Sequence, residues 1–147
     1  MERILGLDIG DKYIGIAVSD PLGFTAQPYR TYRRGSRDED LDFFRNVVDQ
    51  FRPKLIVAGL PLSLSGKESA QTRKARNYAG FLKNALGLPL VFWDERLTTE
   101  ASGDILAESG VKRSDRKQMI DTVAAQIILQ EYLESERQSV NSEISEE

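Results

Sequence analysis

Apolar and polar residues alternate along this chain with two different periods, and the change from one to the other marks its elements. Residues 3–9 read Arg-Ile-Leu-Gly-Leu-Asp-Ile, an apolar run suited to a buried strand. Gly10-Asp11 supplies a turn, and Tyr13 to Ser19 reads as a second strand returning as a hairpin. Asp20-Pro21-Leu22-Gly23 is turn chemistry, and Ala26 to Tyr32 follows as a third strand. The period then shifts from two to about 3.6. Ser36-Arg37-Asp38-Glu39 has the spacing of a capping box; Leu41, Phe44, Val48 and Phe51 follow on one helical face, and Pro53 ends it.

The second half repeats a strand–helix rhythm. Leu55 to Leu60 is a short apolar run of the kind covered on both faces. A loop from Pro61 to Lys67 leads into a helix from about Glu68 to Leu86, closed by Gly87. Leu88 to Trp93 reads as a fifth strand, Thr98 or Thr99 can cap a short helix ending at Gly110, and a last helix runs from about Asp115 to Leu133. Three meandering strands followed by two helix–strand units predict an α/β domain. Its sheet is five-stranded and mixed: three strands antiparallel, two added in parallel by right-handed crossovers, with helices on both faces.

Composition narrows the chemistry. The 147 residues contain no Cys and no His. That excludes disulfides, thiolate nucleophiles and iron–sulfur clusters, and removes the commonest general base and transition-metal ligand. Carboxylates, hydroxyls, Lys and Arg remain, and they suit a hard cation such as Mg2+ or Mn2+. No leader pattern and no apolar run long enough to cross a bilayer is present, so the expectation is a cytoplasmic protein with no membrane partner.

The net charge of −3 is unevenly spread. From Glu134 onward five Glu against Arg137 give −4, which leaves the first 133 residues at +1. The expected division is a single domain over residues 1–134 and an acidic, disordered tail over 135–147. Twelve of the twenty positive charges fall in three windows: Arg30, Arg33, Arg34 and Arg37; Lys67, Arg73, Lys74 and Arg76; Lys112, Arg113, Arg116 and Lys117. Single runs of this kind are usually solvated faces, but three brought together would make a surface for a polyanion.

Three acids stand out against their surroundings. Asp8 interrupts an apolar strand, where a carboxylate is costly without a cation, although Asp is also an ordinary turn residue beside Gly10-Asp11. Asp94 and Glu95 end the fifth strand, at the edge where parallel strands gather ligands; alternation lets only one of them share a face with Asp8. Both could instead be solvated partners of Arg96. Asp121 lies in the second turn of a helix that is apolar around most of its circumference. Its alternative role is interaction with the helix N-terminus, worth under about 1 kcal/mol.

Gly6-Leu7-Asp8-Ile9-Gly10-Asp11-Lys12-Tyr13-Ile14-Gly15 with Ile16 to Asp20 resembles the opening motif of the YqgF family, also called RuvX. Gly59-Leu60-Pro61-Leu62 with Gly66, Asp94-Glu95-Arg96-Leu97-Thr98-Thr99, and Lys117 with Asp121 to Ala125 and Ile128 to Gln130 resemble its later segments in the same order. The resemblance implies an RNase H-like fold related to the RuvC resolvases. It also implies a nuclease that processes the 5′ end of the small-subunit ribosomal RNA precursor. It maps the catalytic and metal-binding acids to Asp8, Glu95 and Asp121. Resolvases carry their second acid at the end of strand four, where this chain has Gly59-Leu60-Pro61, so that role moves to Glu95.

Under that reading the three acids hold Mg2+ or Mn2+. Lys12, Lys67, Arg73, Arg76, Lys112, Arg113 and Lys117 grip the phosphate backbone, Arg96 steadies the phosphate, and Trp93 is core. The expected partner is nucleic acid: structured RNA, possibly branched DNA, or a ribosomal precursor particle. The expected state is a monomer or weak homodimer. The rivals are a resolvase-like DNA endonuclease and an RNA-binding maturation factor that cuts nothing. An actin- or sugar-kinase-like reading of Asp8-Ile9-Gly10 is set aside, because such proteins need two such domains.

Overall fold

The computed structural model describes residues 3–61, 67–94 and 113–146. Their elements are β1 (Arg3–Ile9), β2 (Tyr13–Ser19), β3 (Ala26–Arg33), α1 (Arg37–Phe51), β4 (Pro53–Leu60), α2 (Ala70–Leu86), β5 (Leu90–Asp94) and α3 (Arg113–Glu146). The short helix expected from Thr98 or Thr99 to Gly110 lies outside the described residues. The strands form one sheet in the order β3-β2-β1-β4-β5. β1, β2 and β3 are antiparallel neighbours, and β4 and β5 run parallel to β1.

Local chemistry accounts for the element ends. Ser36 caps α1 and accepts from the Glu39 N–H while Glu39 reaches back to the Ser36 N–H, the reciprocal box its spacing predicts. The helix stops at Arg52, which adopts φ 51°, and Pro53 then opens β4. α2 begins later than its sequence suggests, because Ser69 and Thr72 form a second capping box. The Thr72 hydroxyl also donates to Pro61 O at 2.8 Å, which ties the helix start to the end of β4. Gly87 closes α2 in the left-handed region at φ 68°.

Each face of the sheet has its own core. Leu5, Leu7 and Ile9 with Ile14, Ile16 and Val18 face α1 and α2, meeting Phe44, Val47, Tyr78 and Leu82. Ile4, Ala17 and Val57 face α3 and meet Ala125, Ile128, Leu129 and Leu133. On α1 the buried side chains are Asp40, Phe44 and Val47. Asp40 is 1% exposed because its carboxylate is fully engaged. Oδ1 accepts from Tyr32 Oη and Gly35 N at 2.8 Å each, and Oδ2 from Tyr78 Oη at 2.7 Å. Burial and these bonds raise both phenol pKa values, that of Tyr32 to about 12. α3 continues as helix beyond Leu133 through Glu146, so the acidic segment is carried on helical backbone.

Candidate active site

Asp8 is delivered by β1, where its Cα pairs with that of Gly15 on β2. Residues paired across strands share a face, and here that face belongs to α3. A Cβ on Gly15 would lie 1.8 Å from the Asp121 carbonyl oxygen and 2.8 Å from the Thr122 nitrogen. A Cβ on Gly6, two residues before Asp8, would lie 2.8 Å from Leu129 Cβ. The missing side chains let α3 lie almost on the sheet, and its closest approach brings Asp121 beside the partner of Asp8. Gly15 is therefore required by helix–sheet contact rather than by an unusual dihedral.

Five further contacts fix how α3 is turned. Thr31 on β3, whose Cα pairs with Gly15, shares a hydroxyl–hydroxyl bond with Thr122, next to Asp121. β3 is an edge strand, and its first residue finds its missing partners on the helix. Ala26 N donates to Gln130 Oε1 at 2.8 Å, and Gln126 Nε2 donates to Ala26 O at 3.1 Å. At the other edge Trp93 Nε1 donates to Glu131 Oε2 at 2.8 Å, and its ring meets Tyr132 edge-on. Trp93 is thus part of the core on the α3 face, as expected. Thr31, Gln126 and Gln130 carry no local signal in the sequence; what identifies them is which backbone groups the edge strand leaves unpaired.

Burial raises the Asp121 carboxyl to about 6, and no described cation or hydrogen-bond donor opposes the shift. Its placement is costly unless a cation neutralises it. Alternation along β5 answers the question posed by Asp94 and Glu95. Phe92 packs on the α1–α2 side and Trp93 on the α3 side, so Asp94 falls on the α1–α2 side, away from Asp8. Glu95 and Arg96 lie outside the described residues, and among the described residues no three acids gather as a metal-binding group. The candidate donors on the two elements that pack there, Asp8 on β1 and Asp121 on α3, are hard oxygen ligands in a chain without thiols or imidazoles, which fits Mg2+ or Mn2+.

The expected phosphate-binding cations sort into groups. Lys12 is exposed on the β1–β2 turn, two residues beyond Gly10, and Arg73 is exposed in the first turns of α2. Lys67 lies exposed just before α2. Arg76 pairs with Glu68 and stacks 5.0 Å over the Phe92 ring, so it is held in place rather than loose. Arg113 is the first residue of α3 and Lys117 lies one turn on, while Lys112 is outside the described residues. Lys74, in the same run, pairs with Asp11 at 3.9 Å and so links α2 to the β1–β2 turn. Arg34 pins that turn from the other side, donating from its N–H to Lys12 O and from Nη1 to Gly10 O, both at 2.8 Å.

A family model described as RuvX, Holliday junction resolvase, matches residues 2–135. The chain belongs to the RuvX family. Among its relatives is a protein of Clostridium novyi (strain NT) named "Putative pre-16S rRNA nuclease", 44% identical over 133 residues, spanning 90% of this chain and 98% of that one. In fold, the RuvX chain resembles T. thermophilus RuvC in complex with a Holliday junction substrate. The TM-score is 0.55 at 14% identity, over 93% of this chain and 96% of that one. It also resembles the Fowlpox virus resolvase in complex with Holliday junction DNA, with a TM-score of 0.55 at 12% identity, over 90% and 97% of the two chains. The five-stranded mixed sheet is therefore the RNase H-like sheet of the resolvases.

Proposed function

We propose that this RuvX-family protein is a divalent-metal-dependent nuclease that hydrolyses phosphodiester bonds, with a role in maturing the 5′ end of pre-16S rRNA. The observation that carries the reading is the Gly15 contact, which sets the backbone of a desolvated Asp121 against the strand partner of Asp8. The name of the Clostridium novyi relative supports the RNA substrate, and the resolvase fold supports phosphodiester chemistry. A cytoplasmic site of action follows from an rRNA substrate, and no described helix is long and apolar enough to cross a membrane. The reading takes the protein as a monomer or weak homodimer.

Asp8 and Asp121 are the described members of the metal set, with Glu95 as its proposed third ligand. The chemistry a bound Mg2+ or Mn2+ supplies in such a set is activation of water and neutralisation of charge on the phosphate. The chain's own part is positional. Asp8 is held rigidly within a central strand. Gly15, Thr31 and the bonds of Gln126 and Gln130 to Ala26 set how the helix that carries Asp121 lies on the sheet. Lys12 and Arg73, with Arg113 and Lys117 at the start of α3, hold the phosphate backbone, and Arg96 takes up charge developing on the reacting phosphate.

The test is cleavage of a 5′-extended 16S rRNA precursor with Mg2+ or Mn2+, comparing the native chain with Asp8→Asn. Loss of cleavage in the variant with RNA binding retained supports the assignment, and undiminished cleavage refutes it. RNA binding indifferent to EDTA, with no cleavage under Mn2+, would make the protein a maturation factor instead.

A further inference from the structure

Folding unites two of the basic windows on the face of the molecule opposite α3. Arg34 comes from the segment that joins β3 to α1, Arg37 opens α1, and Arg76 belongs to α2. The groove that Arg37 and Arg76 border has a volume of 640 Å³ and is lined by these two with Asn77, Gly80, Phe81 and Asn84, together with Ala85. Its α2 wall recurs at about one helical turn, Arg76–Gly80–Asn84 and Asn77–Phe81, so one stripe of the helix faces the groove. Gly80 leaves the floor open, since a Cβ there would meet nothing within 4 Å.

The cations here are presented rather than loose. The Arg37 guanidinium stacks 4.4 Å from the centre of the Phe81 ring, and Arg34 stacks 4.0 Å from that of Tyr78. Tyr78 and Phe81 meet edge-on, with Tyr78 anchored by its bond to Asp40. Arg76 lies over Phe92. A guanidinium stacked on a ring has lost its rotamer freedom in advance, and stacking leaves the N–H edge of Arg37 to a ligand, whereas Arg76 also pairs with Glu68 and Arg34 also donates to Gly10 O. Among the described residues that line the groove none carries a carboxylate, though Glu68 pairs with Arg76 beside it. Its two carboxamides suit sugar hydroxyls and base edges, and its guanidiniums suit phosphates.

From this we infer that the α1–α2 groove is a second nucleic-acid site: it binds a single-stranded stretch of RNA away from the Asp8–Asp121 centre and anchors the substrate from the far face of the sheet. The ligand class rests on the nuclease reading; the location rests on the groove.

The test measures binding of a fluorescein-labelled single-stranded RNA by anisotropy, using the full-length chain carrying Asp8→Asn in EDTA so that nothing is cut. Adding Arg37→Gln is expected to weaken binding roughly threefold to tenfold and to reduce the slope of log affinity against log salt by about 0.7. Asn84→Asp, on an exposed helix position, should weaken it similarly through charge repulsion. It keeps the Arg37–Phe81 stack and so separates charge from packing. Arg45→Gln, the same charge change on α1 outside the groove, should leave the affinity within a factor of two. Equal losses for Arg37→Gln and Arg45→Gln would overturn the site, reducing it to bulk charge. Unchanged affinity in both groove variants, or displacement of the RNA by polyglutamate as readily as by unlabelled RNA, would also overturn it, and these three results leave the nuclease reading standing. RNA binding absent altogether in Asp8→Asn would overturn both.

Discussion

Replacing Asp121 by Asn should make the metal-free protein more stable while abolishing its activity. Burial on folding carries the Asp121 carboxyl from 3.8 to about 6. The native state therefore holds the proton more tightly than the unfolded chain, and stability falls as pH rises through that interval. Above about pH 6 the full penalty is present. Two pKa units correspond to about 3 kcal/mol, and partial solvation of the side chain reduces this to about 1.5 kcal/mol. An amide of the same shape avoids the charge, so Asp121→Asn should raise the melting temperature by about 5 °C at pH 7.5 in EDTA. At pH 3, where Asp121 is largely protonated in both the native and the unfolded chain, the difference should vanish. Thermal unfolding of both chains at the two pH values decides the matter. A variant no more stable at pH 7.5, or a gain equal at both pH values, would refute the argument that an uncompensated buried charge sits there.

Other expectations follow from the same geometry. Mn2+ affinity, measured by titration calorimetry, should fall as pH drops through about 6, because a proton competes for Asp121; affinity independent of pH between 5 and 7 would contradict its role as a ligand. Gly15→Ala would place a methyl group on the Asp121 backbone, so it should cost roughly 3 kcal/mol in denaturant unfolding and displace α3 enough to remove cleavage. Thr31→Val should lower cleavage and Mn2+ affinity together, with Thr31→Ser restoring both, because the hydroxyl bond to Thr122 sets how Asp121 is presented. Tyr78→Phe removes one of three bonds to a buried carboxylate and should destabilise the fold by about 1–2 kcal/mol, read from chemical denaturation.

Much of the architecture is written locally. Alternation and short apolar runs place all five strands, because each strand's side chains must sort between two covered faces. Ser36 and Gly87 mark helix ends because capping involves only neighbours in sequence. The reading falters where distant segments decide. Val47 rather than Val48 turns into the core, and Asp40 is buried because Tyr32 and Tyr78, from two other elements, satisfy it. The start of α2 moves to Ala70 because Ser69 and Thr72 cap each other while Thr72 also holds Pro61.

By itself the sequence determined the order and type of the described elements and the absence of thiol and imidazole chemistry, and by resemblance it singled out Asp8, Glu95 and Asp121 as candidates. Tertiary structure decided which of the segments that carry them pack together. Asp121 lies more than a hundred residues from Asp8, and its backbone reaches the strand partner of Asp8 because Gly6 and Gly15 clear a path for α3 while Thr31 and Ala26 fix its rotation. It also turned Asp94 to the opposite face and drew Arg37 and Arg76 to one groove. Local propensity acts between neighbours in the chain, whereas a site is made by packing, and packing is set by the surfaces that distant segments present to one another.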